Sequence, residues 1–395
     1  MAKNNRSILM QKLRRMVGLS IGLGLCGVAL LGCDDSGEVQ GDIEGAYLFG
    51  NLSDEVRASL PIVGMKEIGG LGSYPSDLSI AGEYAYIVDY SNNAIHRVDL
   101  GRYVVDKNFI DLGQNAGPYS VYANGDNIWV TTQKIKQVLR FDREGKQKSL
   151  VLSEEHIVAP TDVVFYDGYT IVADSEYDYT DSSKTGGSIL SISSDGVLVE
   201  RKTSAQNPVF VRVVEYGDDA YIIVVDAGVI SYGADFSVEK LPEKSCLDVW
   251  KLSDFVKKGE EYSPKSVCVE NASLGGMAWS KEMFYVGDAM QPQYHAIAMS
   301  ELFDMSSKDQ NLKTIALSGG DYTTLIKPIV VGEALFLFDS AKNAVRWRKG
   351  NASHVFALAP EGDVKMPIDA EYNSTNNKMI VLNSASASVD VFDVK

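Results

Sequence analysis

The chain has 395 residues, with 37 Lys and Arg against 53 Asp and Glu for a net charge of -16, and 45% of its residues are hydrophobic. This composition is ordinary for a globular protein and excludes wholesale disorder. The negative charge also argues against a nucleic-acid partner, because such binding requires a basic patch that neutralises phosphates.

The first 33 residues have the organisation of an export signal. Five basic residues and no acid are followed by an apolar run over residues 16–32. A basic region before an apolar region is typical of a secretory signal peptide. The apolar run ends in Leu30-Leu31-Gly32-Cys33, which resembles the lipobox of bacterial lipoproteins.

This resemblance implies that residues 1–32 are removed and that Cys33 carries acyl chains such as palmitate, which anchor the protein in a lipid bilayer. The protein would then belong to the bacterial cell envelope, facing the periplasm or the cell surface, with a net charge of -21. A plain signal peptide or an uncleaved anchor helix is the alternative. Residues 33–49 are polar and acidic and predict a flexible tether, which leaves residues 50–395 as the folded domain.

The rest of the chain repeats one pattern seven times. In each copy a β-rich run that ends in Asp or another polar residue is followed by a second β-rich run, as in YAYIVDYSNNAIHRVDL at 84–100 and ALFLFDSAKNAVRWRKG at 334–350. Hydrophobic and polar residues alternate within the runs, which indicates strands. Helical patterning is limited to short stretches at 252–261 and 300–307.

Seven units of about four strands predict a seven-bladed β-propeller, an all-β ring of four-stranded antiparallel blades. The last unit offers only three strands, so the segment 60–70 is expected to supply its fourth strand and close the ring. Insertions in the fourth and fifth units leave six or eight blades as alternatives.

The first unit resembles the YVTN repeat of bacterial surface and periplasmic propellers. The matching residues are Tyr86-Ile87-Val88-Asp89 and the strand from Ile95 to Asp99, with Asp89 in place of the family's Asn. The resemblance implies a seven-bladed propeller outside the cytoplasm. It implies no single activity, because propellers carry unrelated functions.

Two cysteines remain after Cys26 and Cys33 are assigned to the signal and the anchor. In an oxidising compartment Cys246 and Cys268 are a natural pair, and they would lie on the third and fourth strands of the fourth blade. Two separate buried thiols are the alternative.

Many acidic residues are expected at the end of the ring where the innermost strands begin and the second strands end. These residues form a candidate ligand or metal face: Asp77, Asp89, Asp162, Asp174, Asp226, Asp288, Asp339 and Asp369. They suit a cation such as Ca²⁺, which prefers oxygen ligands, or a cationic partner. Alternatively, each Asp caps a turn by bonding its own backbone.

Two further features belong to this acidic loop face. The loop 174–187 has acids at a crude Ca²⁺-ligand spacing but lacks the Gly and terminal Glu of an EF-hand loop. Tyr74, Tyr90 and Tyr119, together with Tyr177 and Tyr179 of that loop, are candidates for an aromatic surface that binds a sugar or a peptide.

Common catalytic motifs are missing from the sequence. There is no G-x-S-x-G, H-E-x-x-H, C-x-x-C or phosphate-binding loop, and the four His residues fall in different units. We therefore expect a binding or assembly module that recognises an envelope protein or a small ligand through the acidic loop face. The alternatives are a metal-dependent propeller enzyme of the lactonase, hydrolase or lyase type, and a surface adhesin.

Overall fold

The computed structural model describes residues 62–72, 74–176, 186–232, 238–257, 262–307, 310–317, 325–350, 352–358 and 365–395. The predicted signal and tether lie outside these ranges, as does the start of the predicted folded domain, residues 50–61. Almost every element within the ranges is a strand, which confirms the all-β fold class.

The described strands follow one another with short connections. In chain order they are β1 (Ile62–Ile68), β2 (Pro75–Ala81), β3 (Tyr84–Asp89), β4 (Ala94–Asp99), β5 (Val104–Asp111), β6 (Pro118–Asn124), β7 (Asn127–Thr132), β8 (Gln137–Asp142), β9 (Gln147–Leu152), β10 (Pro160–Tyr166), β11 (Tyr169–Ser175), β12 (Gly187–Ser193), β13 (Leu198–Lys202), β14 (Pro208–Tyr216), β15 (Asp219–Asp226), β16 (Ser231–Tyr232), β17 (Val238–Lys240), β18 (Ser245–Lys251), β19 (Lys265–Val269), β20 (Leu274–Trp279), β21 (Met283–Asp288), β22 (Gln293–Ala298), β23 (Lys313–Ala316), β24 (Leu325–Val331), β25 (Ala334–Asp339), β26 (Ala344–Lys349), β27 (Ala352–Ala357), β28 (Pro367–Asn373), β29 (Lys378–Asn383) and β30 (Ser388–Val394). Two single-turn helices, α1 (Leu252–Phe255) and α2 (Met299–Leu302), lie in the two stretches with helical patterning.

The strands form seven four-stranded antiparallel blades within the described residues. Blades 1 to 3 are β2–β5, β6–β9 and β10–β13; blade 4 is β14, β15, β18 and β19; blades 5 and 6 are β20–β23 and β24–β27; and blade 7 is β28, β29, β30 and β1. The first strand of each blade contacts the first strand of the next, and β28 contacts β2, so the blades form a ring. The predicted seven-bladed propeller is confirmed.

The hydrophobic core lies between the blades. Each pair of adjacent blades shares its own cluster of buried side chains: Trp129 packs with Val172 between blades 2 and 3, and Trp347 packs with Phe392 between blades 6 and 7. The second strand of a blade is therefore buried on both faces, as the uninterrupted burial from Ala85 to Asp89 in β3 illustrates. A blade on its own would expose both faces, so stability depends on the complete ring.

The ring closes where the two ends of the described chain meet. Strand β1 pairs antiparallel with β30, with Ile68 opposite Val389, as the sequence predicts. A buried ion network reinforces this junction: the Lys365 ammonium lies 3.0 Å from Glu67 on β1 and 2.6 Å from Asp390 on β30.

Blade 4 carries the predicted insertion, which includes the two-stranded hairpin of β16 and β17. Cys246 on β18 lies directly opposite Cys268 on β19, and the two form a disulfide, as predicted. The bond closes a loop with a sequence separation of 22 residues. In the chain-entropy account, such a loop closure contributes about 3 kcal/mol to stability.

We expect Lys365→Met to lower the free energy of unfolding by about 3–5 kcal/mol, because Glu67 and Asp390 would remain buried without their cation. Urea denaturation followed by tryptophan fluorescence measures the change. Lys349→Met is the matched control, because it removes an exposed partner 3.6 Å from Glu333, and an exposed pair contributes less than about 1 kcal/mol. Equal losses in the two variants would contradict a closing role for Lys365.

Candidate functional site

The first strands of the seven blades line the centre of the ring, and three of the predicted site residues lie there. Asp77, Asp162 and Asp369 each follow a Pro and a register shift near the start of an inner strand. Because the inner strands all begin at the same end of the ring, the three carboxylates come together at that end of the channel. The sequence predicts this placement for these three members of the acidic face.

Each of these carboxylates accepts an N–H group from the neighbouring blade. The backbone N–H of Val121 donates to Asp77 Oδ2 (2.8 Å), that of Val211 to Asp162 Oδ2 (2.9 Å), and that of Leu78 to Asp369 Oδ2 (3.0 Å). Two residues further along the strands the pattern repeats: the N–H of Ala123 donates to Ser79 Oγ, and the N–H of Ile80 donates to Glu371 Oε2. The channel carboxylates therefore connect blades.

Two basic residues that sequence reasoning missed pair with these carboxylates. Arg212 Nη1 lies 2.5 Å from Asp162 Oδ2, and Lys327 Nζ lies 3.0 Å from Asp369 Oδ1 and 3.9 Å from Glu371 Oε1. Burial lowers the pKa of both cations, but the surrounding carboxylates outweigh it and hold each pKa above its usual value. Each basic residue interrupts an otherwise apolar inner strand, VFVRVV or LIKPIV, which is the signal that could have revealed it.

Asp77 differs from the other channel carboxylates. Burial, followed by the charges of Asp369 and Asp162, raises the pKa of Asp77 well above its usual range, while Lys327 and the N–H of Val121 lower it by less. This environment favours the protonated form of a carboxyl group, and a nearby positive charge favours the ionised form.

The second group of predicted site residues lies inside the blades. These residues lie at or next to the ends of the second strands, and their side chains are nearly or fully buried: Asp89, Asp174, Asp226, Asp288 and Asp339. They do not share one site, because each bonds within its own blade or the loop leading into it. For example, Asp174 accepts from the N–H groups of Val158 (2.9 Å) and Ala159 (2.7 Å), and Asp288 from that of Met290 (2.9 Å).

Turn geometry explains why Asp recurs at these strand ends. The N–H of Asn92 donates to Asp89 Oδ1 (3.0 Å), and Asn93 has a positive φ of 55°, a conformation that Asn tolerates better than most residues. Asp339 accepts in the same way from the backbone three residues on, and Asn343 has a φ of 54°. These contacts agree with the alternative that each of these Asp residues caps a turn by bonding the nearby backbone.

In several blades the residue at the end of the second strand has a further partner seven residues later, on the third strand. His96 Nε2 lies 3.1 Å from Asp89, and His295 Nε2 lies 3.5 Å from Asp288. In blade 7 the pair is Asn383 and Asp390, with the amide donating over 3.0 Å. Two of the four His residues therefore lie beside buried Asp residues. The sequence analysis did not identify this seven-residue spacing.

Blade 4 contains two buried carboxyl groups that influence each other. Asp226 accepts from the N–H groups of Ala205 and Asn207, and Asp248 on the adjacent strand accepts from the N–H of Ser204 and from Ser266 Oγ. Burial and then the Asp226 charge raise the pKa of Asp248 to about 7. Near neutral pH the pair therefore holds a proton that the unfolded chain would release.

We expect Asp248→Asn to flatten the pH dependence of stability. The folded pKa near 7 lies above the ordinary value of 3.8, so wild-type stability falls as the pH rises from about 4 to about 7 and stays low above that range. At pH 8 the variant should melt a few degrees higher, since about 1 kcal/mol corresponds to roughly 2–4 °C in a large domain. Melting curves over pH 4–8 test this, with exposed Asp218→Asn as control; parallel curves for Asp248→Asn and wild type would contradict it.

Three tyrosines of the predicted aromatic surface lie together at the mouth of the channel. The N–H of Tyr90 donates to the carbonyl of Tyr74 (3.3 Å), and burial, followed by Tyr90, raises the pKa of Tyr74 to about 12. Burial, then Asp77 and Tyr74, also raise the pKa of the Tyr119 phenol. The phenols stay neutral at physiological pH, beside the one channel carboxyl group that has no basic partner.

Other predicted features of the acidic loop face are not described by the structure. Tyr177 and Tyr179 lie outside the described residues, as does most of the loop 174–187. Among the residues with described positions, no group of three or more His, Cys, Asp or Glu side chains has a geometry that would hold a metal ion. The described helices include none that is long and apolar enough to span a membrane.

No family model and no curated protein matches the chain. Its fold is similar to virginiamycin B lyase from Staphylococcus aureus (10% identity, TM-score 0.61, covering 84% of this chain and 99% of the lyase chain) and to Kuenenia stuttgartiensis hydrazine synthase (11%, 0.60, 82% and 96%). It is also similar to YCF48 bound to a D1 peptide (10%, 0.57, 85% and 100%). Identities this low show the propeller fold alone.

Proposed function

We propose that the protein is an exported, lipid-anchored β-propeller that acts as a binding or assembly module at the mouth of its channel. The observation that carries this proposal is the grouping of Tyr74, Tyr90 and Tyr119 at the loop-rich end of the channel, where the charge of Asp77 contributes to the raised pKa of Tyr119. Aromatic rings with a polar group between them form an amphipathic recess suited to recognition. The likeness to YCF48 bound to a peptide is compatible with such a role.

A metal-dependent propeller enzyme remains the second candidate, because a lyase is among the structures of similar fold. The contacts of the candidate carboxylates favour binding over catalysis. Asp77 and Asp369 each use one oxygen, and Asp162 uses both, to accept hydrogen bonds from neighbouring blades, and Asp162 and Asp369 are paired with Arg212 and Lys327. Carboxylates committed in this way are less available as metal ligands.

Membrane attachment rests on the sequence Leu30-Leu31-Gly32-Cys33 at the end of the apolar segment. The anchor would place the propeller on the envelope surface, where its acidic charge attracts cationic partners over a distance limited by salt screening.

We expect Cys33→Ala to abolish incorporation of labelled palmitate and to move the protein from the membrane fraction to the soluble fraction, or to leave an unprocessed precursor. Cys26→Ala is the matched control, because it removes a cysteine from the apolar segment without touching the acylation site. Labelling and fractionation that are unchanged in Cys33→Ala would contradict the lipid anchor.

Capture of partners from the protein's own envelope tests the binding role. We expect Ser91→Arg, next to Tyr90 at the mouth, to reduce recovery of the captured component about tenfold, which corresponds to about 1.4 kcal/mol. Ser194→Arg makes the same change at an exposed turn on the opposite end of a blade and should leave recovery unchanged. Equal recovery by both variants would contradict binding at the mouth, and Ca²⁺-dependent turnover of lactones or esters without any bound partner would favour the enzyme.

A further inference from the structure

Asp77 has no ion-pair partner among the described residues, whereas Asp162, Asp369 and Glu371 each lie within ion-pair distance of Arg212 or Lys327. Its Oδ2 atom accepts the N–H of Val121 (2.8 Å), and no described Lys or Arg forms an ion pair with it. Asp162 has Arg212, and Asp369 has Lys327, so the basic residues of the channel are already engaged. A positive charge from outside the chain would complete the pairing.

The tyrosines supply the surroundings that such a charge would need. Tyr74 is three residues before Asp77 in the chain, and Tyr119 is two residues before Val121, whose N–H reaches Asp77. The charge of Asp77 also contributes to the raised pKa of the Tyr119 phenol. Neutral tyrosine rings attract cations to their faces, most strongly where water is partly excluded.

One cation of the chain already uses this property of the mouth. The Lys134 ammonium lies 4.9 Å from the centroid of the Tyr90 ring. Lys134 is exposed, and its partner is a ring rather than a carboxylate. The Tyr90 ring therefore presents a face to the mouth that a positive charge can approach.

We propose that the mouth of the channel binds an ammonium or guanidinium group, which pairs with Asp77 between Tyr74 and Tyr119. The inference rests on the proposed binding function and adds the chemistry of the ligand. The group could belong to a Lys or Arg side chain of a partner or to a free amine. The net charge of -16 would steer such ligands toward the protein.

Binding by this pairing would release a proton. Without a ligand, burial keeps the pKa of Asp77 high, and an incoming cation favours the ionised form. The charged or titratable side chains that face Asp77 from the surrounding elements are Asp162 on β10, Arg212 on β14, Lys327 on β24, Asp369 and Glu371 on β28, Tyr119 on β6 and Tyr74 before β2. Affinity should therefore rise with pH until Asp77 is ionised in the free protein.

Calorimetric titration of the full-length protein in detergent tests the proposal with three probes. They are the capped tripeptide Gly-Lys-Gly, its neutral counterpart Gly-norleucine-Gly, and n-butylammonium. We expect the Lys peptide to bind at least about tenfold more tightly than the norleucine peptide, with proton release visible as a heat that depends on the buffer. Tighter binding of the peptide than of butylammonium indicates a partner side chain, and equal binding indicates a free amine.

Variants separate the contributions of charge and rings. Asp77→Asn keeps an acceptor for the Val121 N–H and should weaken the Lys peptide at least about tenfold, whereas exposed Asp218→Asn should have no effect. Tyr119→Phe should bind like the wild type and Tyr119→Leu more weakly, because only Phe keeps the ring face. Lys134→Gln should tighten binding by removing a competing cation.

The inference is overturned if the Lys and norleucine peptides bind equally, or if folded Asp77→Asn binds the Lys peptide like the wild type. The proposed function would survive that result if Ser91→Arg still reduced capture of an envelope component relative to Ser194→Arg. The inference and the proposed function would fail together only if Ser91→Arg and Ser194→Arg also captured the envelope component equally well.

Discussion

In the centre of the ring the first strands of neighbouring blades belong to separate sheets, and side-chain carboxylates span the gap between them. Asp77, Asp162 and Asp369 each accept an N–H group from the next blade, so a backbone donor that no ladder could satisfy finds a partner. Buried donors without partners are costly, and a carboxylate is a strong acceptor. The arrangement therefore requires side-chain acceptors at the axis, whatever the protein binds, and most of those described are carboxylates.

That requirement creates an electrostatic problem, which determines the chemistry of the channel. Several carboxylates within one buried space repel each other and lose solvation, so they need cations or protons. Arg212 pairs with Asp162, and Lys327 lies near both Asp369 and Glu371, so two cations face three carboxylates. Burial raises the pKa of Glu371, and burial together with the charges of Asp369 and Asp162 raises that of Asp77 well above its usual range. The structural role of the carboxylates thus leaves Asp77 without an ion-pair partner among the described residues, at a position where an external cation could supply one.

The sequence was sufficient to predict the blades, the closing strand and the disulfide, because each follows from a local pattern repeated along the chain. Strand alternation and the Asp at strand ends are local features, and Cys246 and Cys268 lie on neighbouring strands of one unit. The same local pattern did not reveal which Asp side chains point into the channel and which are buried within a blade. Asp89 and Asp288 lie at strand ends on the predicted face, but their side chains are buried inside the blade beside His96 and His295.

What the sequence could not predict depends on contacts between distant units. Arg212 and Lys327 lie in different blades from the carboxylates they pair with, and Lys365 meets Glu67 only when the ends of the chain come together. Such charges look like isolated interruptions of apolar strands until the ring is closed. Their pairing also explains why Asp77 has no ion-pair partner among the described residues. Arg212 and Lys327, the cations on inner strands, pair with other carboxylates. The vacant pairing at Asp77 is therefore a property of the whole ring, and it lies beside the tyrosines at the end where a ligand enters.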